Sequence, residues 1–217
     1  VGADLAERRD ASLWGVVRSA CPWTRGLRYE VGDDGCFGWQ DDLFERTIPE
    51  IDPDTVILID RPVDDPTNGE ALIHRTEGAL EGKAGLQRDL TEESIASVIG
   101  SLRADDRNVV IVEPVPVAPL GKNPLDCLSE EAFLEACRFV VPTTPTPEEE
   151  IIRELADADP GVWSISLDEL VCPYLPICDP VVGGVIVRSD DNHLMAQFGQ
   201  TLVDPFEQFL VDNEILR

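Results

Sequence analysis

Two histidines, His74 and His193, are the side chains in the 217-residue chain whose ordinary pKa suits them to take and return a proton near neutral pH. His193 stands in Arg188-Ser-Asp-Asp-Asn-His-Leu, after the apolar run Gly-Gly-Val-Ile-Val. Asp190 precedes it by three residues. In a loop entering a helix, that spacing lets the carboxylate turn back to the imidazole Nδ1–H, fix the tautomer and stabilise an imidazolium, as in any Ser-His-Asp arrangement. The competing reading is that Asp190, Asp191 or Asn192 simply caps the last helix. His74, beside Arg75 in an irregular stretch, reads as a solvent-exposed loop histidine.

The six cysteines fall as three local pairs: Cys21 and Cys36, Cys127 and Cys137, Cys172 and Cys178. Short loops close most easily, so nearest-neighbour disulfides are the expectation. Zinc would want closely spaced Cys-x2–4-Cys pairs or nearby histidine. Neither pattern is present, so no metal is expected. An even count without metal spacing points to an oxidising compartment.

The elements that must position these residues read as α/β. Asp4–Asp10 has the look of a helix tail, and Leu13–Arg18 of a short apolar strand. Cys21–Gly38 reads as a loop. Phe37–Glu50 has helical spacing with Phe37, Leu43, Phe44 and Ile48 inward. Thr55–Ile59 and Asn108–Val112 are continuous apolar runs that fit strands covered on both faces. Between them lie a long irregular stretch, Arg61–Asp89, and a helix capped by Thr91. Ser129 is expected to cap a helix over Glu130–Phe139. Pro147 opens another, with acids in its first turn. Val162–Leu167 and Gly183–Val187 read as strands, and a final helix covers His193–Val211. Strands alternating with helices argue a mainly parallel sheet between helix layers, in one domain over residues 1–217.

Composition narrows the function. The net charge is −26, from 43 acidic and 17 basic residues. Such a chain repels nucleic-acid phosphates and anionic lipid surfaces, so no nucleic acid is expected as a partner. No apolar run reaches the ~18 residues of a membrane span. Val1–Arg9 read as the start of a helix rather than the start of a protein, so a piece of a larger protein is expected.

Taken in order, these landmarks resemble the C-terminal SGNH (GDSL-like) domain of acyltransferase-3-fused bacterial O-acyltransferases. Asp190-x-x-His193 is similar to the superfamily's last block. Ser19-Ala20-Cys21-Pro22 is similar to a small-residue-Cys-Pro element after its second strand. Cys127-Leu128-Ser129 with Cys137, and Cys172-Pro173 through Cys178 followed by Gly-Gly-Val-Ile-Val, resemble its helix and C-terminal run. The resemblance covers nearly the whole chain. It implies a three-layer α/β/α, flavodoxin-like fold with Asp190 and His193 as two members of a Ser-His-Asp triad.

The chain departs from that pattern in two places. It has no Gly-Asp-Ser, so the nucleophile and the first strand are expected upstream of Val1, in a larger membrane protein. It also lacks the Gly-x-Asn-Asp oxyanion block. Arg61, after Thr-Val-Ile-Leu-Ile-Asp, occupies about that place, and Ala20 the place of the second-block donor, whose backbone N–H needs no particular side chain. The implied activity is transfer of an acetyl-type acyl group to cell-envelope glycan hydroxyls outside the cytoplasm, without cofactor. The implied partners are an acyl donor, a glycan acceptor and an N-terminal acyltransferase-3 transmembrane domain. Two rivals are a secreted carbohydrate esterase with the same triad and a non-catalytic disulfide-stabilised binding domain.

Overall fold

The Val- and Ile-rich runs at 55–59 and 108–112 lie side by side in the computed structural model, which describes residues 2–33, 35–63, 71–119 and 121–216. In chain order the elements begin with α1 (Gly2–Arg9), β1 (Leu27–Tyr29), and α2 (Gly35–Asp42), which runs through a π-helical turn (Leu43–Thr47) into α3 (Ile48–Ile51). Next come β2 (Thr55–Ile59), β3 (Leu72–His74), β4 (Gly78–Ala79), α4 (Ala84–Arg103) and β5 (Asn108–Val112). The second half holds α5 (Pro124–Glu130), a 3-10 turn (Leu134–Cys137), β6 (Phe139–Val140), α6 (Pro147–Ala158) and β7 (Val162–Ile165). It ends with α7 (Asp168–Val171), β8 (Ile177–Cys178), β9 (Val181–Val182), β10 (Val185–Ile186), α8 (Ala196–Thr201) and α9 (Val203–Asp212). The chain divides into two compact units. A sheet unit comprises Arg18–Pro114 and Thr144–Ser166, and a C-terminal unit comprises Val1–Val17, Val115–Thr143 and Leu167–Arg217.

In the sheet unit, β2, β5 and β7 form a parallel sheet in that order. Parallel neighbours need crossover connections, and α4 and α6 supply them. Ile95, Val98, Ile99 and Leu102 of α4 pack with Ile151 and Ile152 of α6 over Leu58, Val109, Ile111 and Val162. Each such side chain is worth about 1.5–3 kcal/mol when fully buried. The sequence starts α6 sharply. The Thr146 hydroxyl accepts from the Glu149 N–H, the Glu149 carboxylate accepts from the Thr146 N–H, and Pro147 takes the first helical position. The fold is α/β, consistent with an α/β/α order of layers.

A second, antiparallel sheet (β1, β3, β4) buries Leu27, Tyr29, Val63, Leu72 and Leu80. Gln40 of α2 locks it from beneath. Its buried amide donates to the carbonyls of Pro22, Thr24 and Leu27, and its Oε1 accepts from Gly26 N–H. The C-terminal unit holds two-stranded ribbons, β6–β8 and β9–β10, and α1 tied to α9 by Arg8 and Arg9 on Glu207. Disulfides join Cys21 to Cys36, Cys127 to Cys137, and Cys172 to Cys178.

Several sequence expectations need correction. Residues 11–18 form no strand, and Leu13, Trp14 and Val17 are exposed. The apolar pattern asked for a ladder that no described residue provides. Among the described residues β2 has a ladder partner on one side only, β5, and its faces are incompletely covered: Leu58 is buried but Ile59 is 67% exposed. Thr91 lies buried in the middle of α4 and does not cap it. A capping box needs Glu or Gln three residues on, but Ser94 stands there, and its hydroxyl donates to Arg25 O.

Ser129 ends a helix where it was expected to begin one. The stronger start lies upstream, where Asn123 Oδ1 accepts from the Leu125 and Asp126 N–H groups and Pro124 opens the first turn. The last helix starts at Ala196 and breaks at Leu202, because Pro205 has no N–H to give the carbonyl of Thr201. The Cys21–Gly38 loop contains β1 and the start of α2, and the strands expected at Val162–Leu167 and Gly183–Val187 shorten to β7 and β10. The Arg61–Asp89 stretch contains the β3–β4 hairpin and the first turns of α4. Residues 64–70 of it lie outside the described residues.

Gln40→Leu keeps the volume and strands the Pro22 and Leu27 carbonyls and the Gly26 N–H, while Thr24 O keeps its bond from Leu27 N–H. It should cost at least about 2 kcal/mol, read as a lowered urea midpoint at unchanged m-value. An unchanged midpoint would show that water replaces the amide.

Candidate active site

The strand β10 leads into a tight hairpin loop rather than a helix. Arg188 bridges to Leu194 in antiparallel fashion, Met195 N–H donates to Val187 O (2.9 Å), and Ser189 N–H donates to His193 O (2.9 Å). Asp190 closes the tip. Its Oδ1 accepts from the N–H groups of Asn192 (3.0 Å) and His193 (2.6 Å). Its Oδ2 lies 2.9 Å from His193 Nδ1. The two readings of Asp190 left open by the sequence thus resolve into one geometry. The carboxylate caps backbone N–H groups, but those of its own loop, and it also grips the imidazole.

With Nδ1 committed to the carboxylate, Nε2 is the ring atom left to exchange a proton. Among the described residues Nε2 has no protein partner, and the His193 side chain is 76% exposed. Burial pushes the Asp190 carboxyl up, but the His193 and Asn192 N–H groups and the His193 ring outweigh it and hold it below the usual carboxylate range. Asp190 is therefore ionised at neutral pH. The stability its contacts contribute is present above the ordinary carboxylate pKa and fades as pH falls through the lower folded value.

The loop is anchored at its base by a residue that no local pattern of residue types marks out. Arg188 is 1% exposed. Its guanidinium donates to Pro116 O and lies 5.2 Å over the Phe139 ring. Burial pulls its pKa down to about 10, so it stays charged. Ala118 N–H adds a bond to Asp191 O (2.8 Å). Strand-end arginines are normally exposed, and only packing reveals this one as interior.

Ala20 and Arg61 belong to the sheet unit. Ala20 has a left-handed backbone (φ 53°), and among the described residues its N–H meets no acceptor. Arg61 follows β2, and its guanidinium stacks 3.8 Å from the Tyr29 ring centroid. Beneath it sits Asp60, a group the site reading missed although it ends the Thr-Val-Ile-Leu-Ile run. Asp60 accepts from Arg61 N–H (2.8 Å) and bonds Trp23 N–H, three residues past Ala20, while its buried Oδ2 has no hydrogen-bond partner among the described residues. Burial drives its pKa up to about 7. His74 is not a loop residue. It lies half-buried in β3, with Nδ1 against Thr76 Oγ1 (3.2 Å) and Glu77 N–H (3.3 Å).

The Asp60 shift has a measurable sign. A carboxyl raised in the folded state favours folding below its unfolded pKa and loses that contribution as pH rises through about 7. The melting temperature of Asp60→Asn should therefore fall less than that of the parent between about pH 5 and pH 8. Parallel pH profiles would show that Asp60 is ionised throughout.

All six cysteines are in disulfides, and no helix of the described residues is long and apolar enough to cross a membrane. The disulfides fit an extracellular domain. Comparison with curated proteins and with solved structures gives no significant match. The profile described as "SGNH domain (fused to AT3 domains)" matches residues 3–208 and so runs through both units. That match supports an esterase- or acyltransferase-like role and an AT3 partner in the same polypeptide. The chain belongs to the family of SGNH domains fused to AT3 domains.

Proposed function

We propose that this chain is an extracytoplasmic acyl-transfer domain that places an acetyl-type group on cell-envelope glycan hydroxyls by a Ser-His-Asp mechanism, at the outer face of a bacterial plasma membrane. The observation that carries the reading is the 2.9 Å contact of Asp190 Oδ2 with His193 Nδ1, which leaves Nε2 open. The 217 residues hold no Gly-Asp-Ser. On this reading the nucleophilic serine is supplied by another part of the same polypeptide, as is the AT3 membrane domain that delivers the acyl donor.

The serine hydroxyl attacks the acyl carbonyl, and its proton passes to His193 Nε2. Asp190 holds the ring and stabilises the imidazolium. Collapse of the tetrahedral intermediate expels the donor's leaving group, which takes the proton from Nε2. A glycan hydroxyl then attacks the acyl-serine, gives its proton to Nε2, and leaves as the acylated sugar while the serine recovers its proton. Ala20 N–H is the candidate oxyanion donor, supported by its lack of an acceptor, and Arg61 is a candidate substrate contact.

In the full-length polypeptide, His193→Ala and Asp190→Asn should each lower glycan acetylation about 10³–10⁴-fold with the circular dichroism spectrum unchanged. Full activity in His193→Ala would remove the ring from the mechanism. Release of free acetate in place of acetylated glycan would turn the reading to a carbohydrate esterase. Absence of fluorophosphonate labelling in the parent protein would turn it to a binding domain.

A further inference from the structure

The β6–β8 ribbon of the C-terminal unit presents an outward face that nothing in the acyl-transfer reading uses. Phe139 pairs with Cys178 and Val140 with Ile177. Successive strand residues point to opposite faces. Phe139 and Cys178 are buried, Phe139 beneath the Arg188 guanidinium, so Val140 and Ile177 point outward, 66% and 42% exposed. On its other side Ile177 bridges to Tyr174, which is 69% exposed. One row of three apolar side chains thus crosses three chain segments. By the same alternation Arg138 and Asp179 share this face, joined in an ion pair. Tyr174 is close enough to Arg138 to act on its charge.

We propose that this face is a carbohydrate-binding platform for an uncharged oligosaccharide. A pyranose has an apolar C–H face and a polar rim of hydroxyls. The Tyr174 ring, with Val140 and Ile177 as shoulders, offers a flat apolar surface with a phenol at its edge. The Arg138 guanidinium, held by the largely buried Asp179, offers donors at the rim for adjacent hydroxyls. A cleft of about 230 Å³ adjoins the ribbon at Arg138 and is lined further by Lys122 and Glu131.

Charge and size decide among occupants. The charges on the row neutralise each other, and acids line the approach, with Glu131 in the cleft and Glu135 acting on Arg138. Acidic glycans and anionic lipid headgroups are repelled, the more so by a chain of net charge −26. Three apolar side chains fall well short of the roughly 800 Å² per partner of a stable protein interface. The platform is also held ready. The Cys172–Cys178 disulfide closes the loop carrying Tyr174, and Cys137, bonded to Cys127, precedes Arg138. A surface stapled at both ends loses little conformational freedom on binding.

The proposal deepens the acyl-transfer reading, on whose glycan acceptor it rests. Binding is nonetheless measured without turnover. Calorimetric titration of the full-length protein with chitotetraose, maltotetraose and tetragalacturonate should show binding of a neutral tetrasaccharide and none of the acidic one. Tyr174→Ala should weaken that binding about tenfold or more, and Arg138→Gln should weaken it as well. No binding of either neutral sugar, equal binding in Tyr174→Ala, or preference for tetragalacturonate overturns the platform, as does binding to phosphatidylglycerol vesicles that Tyr174→Ala abolishes while neutral sugars fail to bind. Missing binding with normal fluorophosphonate labelling sinks the platform alone. Binding without labelling sinks the acyl-transfer reading alone.

Discussion

The geometry of the candidate site depends on a single carboxylate serving three hydrogen bonds within one tight loop. Asp190 satisfies the N–H groups of Asn192 and His193 and holds the His193 ring. The loop tip has little apolar burial to fix it, since its side chains are half or fully exposed. A bond to a charged acceptor is worth about 1.5–3 kcal/mol at best, and less where water competes. Ordering each backbone residue costs about 1–2 kcal/mol. The carboxylate alone therefore does not hold five residues in place, and the anchors at the base matter as much. Met195 to Val187, Ala118 to Asp191 and the buried Arg188 on Pro116 supply them.

The sheet unit divides its labour along the strands. Apolar middles are covered by α4 and α6, and acidic residues stand just past the carboxyl ends. After β5, Glu113 is held by Arg153 and by the Ser164 hydroxyl, so its charge is compensated. After β2, Asp60 has one oxygen satisfied and one left over among the described residues, and burial pushes it toward the neutral acid. Carboxyl ends of parallel strands are where α/β sheets gather ligands. Of the two acids only Asp60 retains unspent hydrogen-bonding capacity there.

The three disulfides are local staples. Their partners lie 15, 10 and 6 residues apart, so none links distant parts of the chain. Each fixes a segment that lacks a long helix or strand to brace it: the turn after Ala20, the α5 hairpin, and the loop bearing Tyr174. Small ribbons are marginal alone in water. Here covalent closure stands in for the hydrophobic burial that two-residue strands cannot provide.

The sequence by itself determined the α/β class, the apolar strands at Thr55–Ile59 and Asn108–Val112 and the start of α6, and it put Asp190 within reach of His193. These are encoded within a few residues, by periodicity, capping chemistry and spacing. What lay beyond it depended on partners far along the chain. The Leu13–Arg18 run has strand composition but no described ladder neighbour, and the Thr55–Ile59 run has interior composition but a described ladder partner on one side only. Arg188 reads as a surface residue until Pro116 and Phe139 fold over it. The row of Tyr174, Ile177 and Val140 exists only because β6 and β8 pair in one register. Local chemistry is written in neighbours, whereas burial, sheet order and shared faces are set by which distant segments meet, and only the tertiary structure decides that.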